Sequence, residues 1–120
     1  ILKGKKQIAL ILFYSFSIWT TYAVLTLLVF MSFNFNLPLY APFLLTVILT
    51  FGVMIPSSPG FIGMYQFFCV TGLAFWGIKE SDALGFSLVY HASQYVPVTL
   101  LGLFYLWKDN ISLKEIRSEE

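Results

Sequence analysis

The chain has 120 residues and a formal net charge of +1; 58% of its residues are hydrophobic and 11% are charged. Soluble domains carry about 25% charged residues over their surfaces, so this composition cannot cover a water-soluble core. The small net charge also excludes the basic stripe that nucleic acid binding requires. We therefore expect an all-α integral membrane protein, a polytopic bundle of transmembrane helices.

The charged residues occur in three clusters, and the stretches between them are apolar. A helix needs about 20 apolar residues to cross the hydrocarbon core of a bilayer. Two long and two short helices are predicted, over residues 8–33, 40–55, 61–77 and 83–107. The long ones are predicted to be full spans, whereas the short ones are marginal for a crossing. The transmembrane domain is thus expected to cover residues 1–107, with a cytoplasmic tail at 108–120.

Positive charges concentrate at the two ends of the sequence: Lys3, Lys5 and Lys6 precede the first predicted helix, and Lys108, Lys114 and Arg117 follow the last. The positive-inside rule therefore predicts that both ends are cytoplasmic. This holds whether the two short helices span separately or form a re-entrant hairpin, so charge leaves both topologies open. The sequence starts at Ile1 rather than Met, and we expect it to belong to a longer protein.

Two prolines and two glycines interrupt the apolar sequence between Pro56 and Gly63. Proline lacks an N–H and cannot continue a helix, yet no charge accompanies this break as it would in a water-exposed loop. One interpretation is unwound backbone lining a cavity at membrane depth, as in transporters; the other is a tight turn at the membrane surface. Under the first, a helix starting near Phe61 would direct N–H groups at an anion such as a lipid phosphate. The candidate substrate-binding residues of the break are Ser57, Ser58, Gly60 and Gly63.

Polar side chains in the predicted helices extend this candidate site. Gln66 follows the break, and Ser87, His91 and Gln94 share one face of the last helix. An ionisable group within a span is a functional candidate; alternatively, His91 is a neutral imidazole hydrogen-bonded to a neighbouring helix. Gln66, His91 and Gln94 complete the predicted substrate-binding set. A stripe on the first helix (Ser15, Trp19, Tyr22 and Thr26) is interpreted as packing.

The sequence offers little for catalysis. It has one His and one Cys, and no carboxylate within the apolar segments, which is too few ligands for a metal site. No Gly-x-Ser-x-Gly elbow, Walker loop or dinucleotide fingerprint occurs. We therefore expect no metal, no cofactor and no enzymatic activity.

Three motifs together resemble a known family. They are Pro56-Ser-Ser-Pro-Gly-Phe-Ile-Gly63, the Gly77-Ile-Lys-Glu-Ser-Asp-Ala83 turn, and Tyr90-His-Ala-Ser-Gln-Tyr-Val-Pro-Val-Thr-Leu-Leu-Gly102. In this combination the sequence is similar to the C-terminal part of the lysylphosphatidylglycerol synthase transmembrane region family, whose members are also labelled flippase-like. The resemblance covers nearly the whole chain. A full member has roughly twice as many helices, so we expect this sequence to be the second half of such a protein.

The resemblance implies a multi-pass protein of the bacterial or archaeal inner membrane, with membrane lipids as its partners. Relatives move an aminoacylated phospholipid between leaflets, so translocation of a phospholipid or lipid-linked substrate is the expected function. Many members have Glu at the position of Gln66 and Arg at that of His91, which puts the same substrate in doubt. The alternative is a membrane anchor or regulatory module that partners an envelope-modifying enzyme or the missing N-terminal half. A lipid-linked sugar transferase ranks last because no acidic residue lies within the spans.

Overall fold

The computed structural model describes residues 4–108. Over that part of the chain the protein is all-helical, as predicted. The helices are α1 (Lys5–Ser32), α2 (Ala41–Val53), α3 (Met64–Ala74) and α4 (Glu80–Lys108), with a short 3₁₀ turn at Pro59–Phe61. Beyond Lys108, the predicted tail lies outside the described residues.

Turn-forming residues set the ends of these helices. α1 ends at Ser32, and Asn34 then adopts a left-handed conformation with φ 54°. Pro42 lies in the first turn of α2, where its missing N–H costs no helical hydrogen bond. α3 is shorter than the predicted 61–77 because Gly63 (φ 92°) and Gly77 (φ 73°) leave helical geometry on either side of it.

The helices differ in how far they could reach across a bilayer. Within residues 4–108, α1 is the one helix both long and apolar enough to cross by length and composition. α4 has 29 residues, but polar side chains such as His91 and Gln94 lower its hydropathy. α2 and α3 have 13 and 11 residues, so they extend only about 20 and 17 Å at 1.5 Å per residue. Each is shorter than the roughly 30 Å hydrocarbon core.

α2 and α3 pack side by side as an antiparallel hairpin. A Cβ added at Gly52, near the end of α2, would lie 2.5 Å from the ring of Phe68 near the start of α3. A Cβ at Gly72, near the end of α3, would lie 3.1 Å from Leu45 near the start of α2. Glycine lets the two backbones approach closely, as small residues do in membrane helix interfaces. The Pro56–Gly63 break is therefore the tip of this hairpin.

The buried core lies between the open end of the hairpin and one half of each long helix. Buried residues of α1 fall between Ala23 and Phe30, and those of α4 between Ala83 and Tyr90. The two segments run antiparallel, with the rings of Phe30 and Phe86 5.1 Å apart. Large apolar side chains on the first half of α1 and the second half of α4 are mostly exposed, which fits a surface that faces lipid.

Candidate functional site

The break at the tip of the hairpin has a defined backbone geometry. Ser58 is extended, and Gly60 (φ 71°) and Phe61 (φ 56°) are left-handed. The Ser58 hydroxyl donates to the carbonyl of Ile62 at 2.6 Å and closes the turn. Positive φ is costly for a residue with a Cβ, so Phe61 keeps this conformation through its surroundings.

This tip lies against the middle of α4. A Cβ added at Gly60 would come within 3.2 Å of the Tyr95 ring, and Tyr95 is close to the midpoint of α4, which runs from Glu80 to Lys108. His91, one turn earlier, contacts Gln66 on the first turn of α3. Two independent contacts thus hold the interrupted backbone halfway along one of the two longest helices.

Gln66 joins the break to His91. Its Oε1 accepts a hydrogen bond from the Gly63 N–H at 2.8 Å, which fixes the orientation of the amide. Its Nε2 therefore faces Nδ1 of His91 at 3.2 Å. An amide nitrogen can only donate, so Nδ1 is the acceptor of this bond. His91 is also stacked on Tyr65, with ring centroids 4.3 Å apart, so it is held from two sides.

A second polar cluster lies deeper, among three helices. The Tyr90 hydroxyl and the Thr26 Oγ1 are 2.6 Å apart, and Thr26 also lies 3.5 Å from Thr46 on α2. The hydroxyl of Tyr65 is buried as well, yet it finds no hydrogen-bond partner in the described part of the chain. Buried polar groups are rarely left unpaired, and the Tyr65 ring lies beside that of Tyr90, with centroids 6.0 Å apart.

A cavity of about 320 Å³ lies next to these groups, between the four helices, and it is open on one side. Polar and aromatic side chains line it together with aliphatic ones. The polar and aromatic residues of its wall are Trp19, Tyr22, Thr46, Thr50, Tyr65, Tyr90 and Gln94. A second open space follows between α1 and α4 and shares Ile18, Tyr22 and Gln94 with the first.

The seven predicted site residues fall into three groups. Gly63, Gln66 and His91 form one hydrogen-bonded chain, which is the neighbouring-helix bond proposed for a neutral His91. Gly60 faces Tyr95 nearby, and Gln94 lies on the cavity wall. Ser57 and Ser58 are exposed at the tip.

The sequence interpretation missed part of the cavity wall. Tyr65, Thr46 and Thr50 were not singled out, because a threonine hydroxyl can bond a carbonyl of its own helix and a tyrosine ring packs as an apolar group. The stripe on α1 was the available clue: Thr26 does serve packing, but Trp19 and Tyr22 line the cavity. Across residues 4–108, no three His, Cys, Asp or Glu side chains come together as potential metal ligands.

The apolar α1, the lipid-compatible exterior and the broken hairpin define a helical integral membrane protein. The sequence profile of the family described as lysylphosphatidylglycerol synthase TM region matches residues 1–102. The chain belongs to this family, which confirms the resemblance inferred from its motifs. Searches of the curated proteins and of the solved structures gave no significant match.

Proposed function

We propose that this protein moves a phospholipid or a lipid-linked substrate between the leaflets of the cell membrane. One observation carries the proposal: the Pro56–Gly63 break packs against the middle of α4 through Gly60 and Gln66. If α4 crosses the bilayer, the interrupted backbone is near its midplane. Discontinuous helices at that depth are typical of transporter binding sites.

The lengths of the hairpin arms support the same topology. α2 and α3 are each too short to cross, whereas an antiparallel pair of this length reaches the midplane and returns. We therefore favour a re-entrant hairpin, with both ends of the chain on the cytoplasmic side as the lysines predict.

The proposed roles follow from the chemistry at the tip. The first turn of α3, which begins at Met64, has N–H groups that donate to no carbonyl within the helix. These groups suit the phosphate of a lipid that carries one. His91 and Gln94 would hydrogen-bond the passing headgroup. The role is transport rather than catalysis.

Thiol labelling tests the depth of the tip. Cys69 is the only cysteine and is buried, so Cys69→Ser gives a background for Ser58→Cys. In oriented vesicles, an impermeant maleimide should reach Ser58→Cys slowly and from both sides. The matched control is Ser81→Cys in the exposed first turn of α4, which should react from the outer side alone. Rapid labelling of Ser58→Cys from the cytoplasmic side alone would indicate a surface turn and remove the proposal.

A leaflet-exposure assay tests transport directly. Vesicles that contain the protein and a fluorescent phospholipid are treated with an impermeant quencher, and the protected fraction is followed over time. Replacing His91 and Gln94 together by Leu should abolish headgroup movement without unfolding the protein. Thr99→Val, on the exposed second half of α4, is the control and should leave movement unchanged. Equal movement in the double variant would support the alternative role, an anchor or regulatory module for an envelope-modifying enzyme.

A further inference from the structure

The cavity of about 320 Å³ between the four helices has the dimensions of a ligand site. Small-molecule pockets occupy roughly 300–1,000 Å³ and combine an apolar wall with a few placed polar groups. Here the polar groups are hydroxyls and one amide, from Thr50, Tyr65 and Gln94 among others. The proposed function uses the amide of Gln94 but none of these hydroxyls.

Tyr65 gives the strongest indication of an occupant. Its side chain lines the cavity and is 6% exposed, and its hydroxyl has no hydrogen-bond partner among residues 4–108. The Tyr90 hydroxyl, 2.6 Å from the Thr26 Oγ1, belongs to the adjoining polar cluster. A buried hydroxyl without a partner is destabilising, and this one is covered by its neighbours. A polar group in the cavity would relieve that cost once the Tyr65 ring turns toward it.

The charge of the lining restricts what can enter. No Asp, Glu, Lys, Arg or His side chain lines the cavity. A charged group moved there would lose its hydration without a counter-charge. The cavity therefore favours an uncharged group that forms several hydrogen bonds with neutral side chains.

The aromatic wall narrows the class further. Trp19 and Tyr22 are 44% and 42% exposed beside the cavity. Their rings offer an apolar face with a polar edge, which matches the alternation of C–H faces and hydroxyls on a sugar ring. Gln94 can both donate and accept hydrogen bonds, as such hydroxyls require.

We infer that this cavity binds the uncharged, polyhydroxylated headgroup of a sugar-bearing lipid, with Tyr65, Gln94 and Trp19 as its contacts. The inference rests on the proposed function in naming a membrane lipid as the ligand. It adds that the protein recognises the headgroup through ring stacking and hydrogen bonds to neutral side chains, and not through charge.

Native mass spectrometry of the full chain with defined lipids tests this. Monoglucosyldiacylglycerol should bind more tightly than diacylglycerol with the same acyl chains and more tightly than phosphatidylethanolamine. Tyr65→Phe should weaken glucosyl lipid binding about fivefold, the effect of one neutral hydrogen bond, and leave diacylglycerol binding unchanged. Tyr40→Phe, whose ring is exposed, should change neither affinity.

Stability without ligand separates binding from a structural role. Removing an unpaired buried hydroxyl should leave the unliganded Tyr65→Phe protein at least as stable as the parent in thermal unfolding. Gln94→Leu, on another part of the cavity wall, provides a second variant and should also lower affinity for the glucosyl lipid. Equal binding of all three lipids, a headgroup preference that survives Tyr65→Phe, or a clear loss of unliganded stability in that variant would each overturn the inference.

The leaflet-exposure assay distinguishes a failure of this inference from a failure of the proposed function. Movement of the fluorescent phospholipid without any preference for the glucosyl headgroup would overturn the cavity assignment alone. Selective binding of the glucosyl lipid without movement of any lipid would support the cavity assignment and overturn transport.

Discussion

Nε2 of Gln66 donates a hydrogen bond to Nδ1 of His91 across 3.2 Å, from the first turn of α3 to the middle of α4. The same amide accepts from the Gly63 N–H at 2.8 Å. One side chain therefore connects the broken backbone with the middle of α4.

This contact predicts the outcome of a charge exchange. Gln66→Glu alone and His91→Arg alone each place an unpaired charge in a half-buried site, which costs about 2–3 kcal/mol at membrane depth. Together the two substitutions form an ion pair at the same positions, and the double variant should recover most of the lost stability. Thermal unfolding of the four proteins in detergent, treated as a double-mutant cycle, measures the coupling. Additive losses would mean that the two side chains do not meet.

The left-handed turn at Gly60 predicts a cost for any side chain there. Gly60→Ala places a Cβ at φ 71° and 3.2 Å from the Tyr95 ring, so it should lower the free energy of unfolding by roughly 1–2 kcal/mol. Gly102→Ala is the matched control, since its Cβ meets nothing within 4 Å and Ala favours the helix. Equal stability of the two variants would contradict the packing of the tip on α4.

The α2–α3 hairpin predicts a steric effect at Gly52. A Cβ there would lie 2.5 Å from the Phe68 ring, and overpacking of this kind costs about 1–3 kcal/mol. Gly52→Ala should therefore unfold at lower temperature, and Phe68→Leu in the same protein should restore part of the loss. Gly85→Ala, with its nearest contact an ordinary 3.5 Å from Phe33, should be tolerated. Failure of Phe68→Leu to rescue would argue against this contact.

The bond between Thr26 and Tyr90 predicts a measurable coupling between α1 and α4. Hydrogen bonds between membrane helices average about 0.6 kcal/mol and reach about 1.7; at 2.6 Å and fully buried, this one should fall in the upper half of that range. Thr26→Val and Tyr90→Phe, singly and together, give the coupling by reversible unfolding. Thr21→Val is the control because its hydroxyl bonds to Ser17 within the same helix. A coupling near zero would show that the bond contributes nothing.

Several elements of the fold were predictable because they depend on local physics. α1 ends just before the left-handed Asn34, and α2 ends just before Pro56. A left-handed residue or a missing N–H stops a helix in most surroundings. The extent of α3 was less predictable: a 3₁₀ turn and the positive φ of Gly63 delay its start to Met64. Turn geometry of this kind is set by contacts such as the one between Gly60 and Tyr95.

The candidate site was likewise predictable only in part. Gln66 and His91 were identifiable because a polar group in an apolar helix is costly and needs a reason, but their contact with each other was not. Tyr65 was missed because an aromatic residue in an apolar helix is ordinary packing material until its hydroxyl is found unpaired. Finding it required knowing which side chains surround it.

The amino-acid sequence by itself determined that the protein belongs in a membrane, that it is helical, and where the helices break. The membrane location and the helical fold follow from the long stretches without charge, because a backbone in lipid must satisfy its own hydrogen bonds. The breaks follow from the prolines, which have no N–H to donate. Only the tertiary structure decided that the break meets the middle of α4, that Gln66 reaches His91, and that a cavity forms beside Tyr65. These relationships depend on how each helix is rotated and packed against the others, and no periodicity along an almost uniformly apolar chain specifies that rotation.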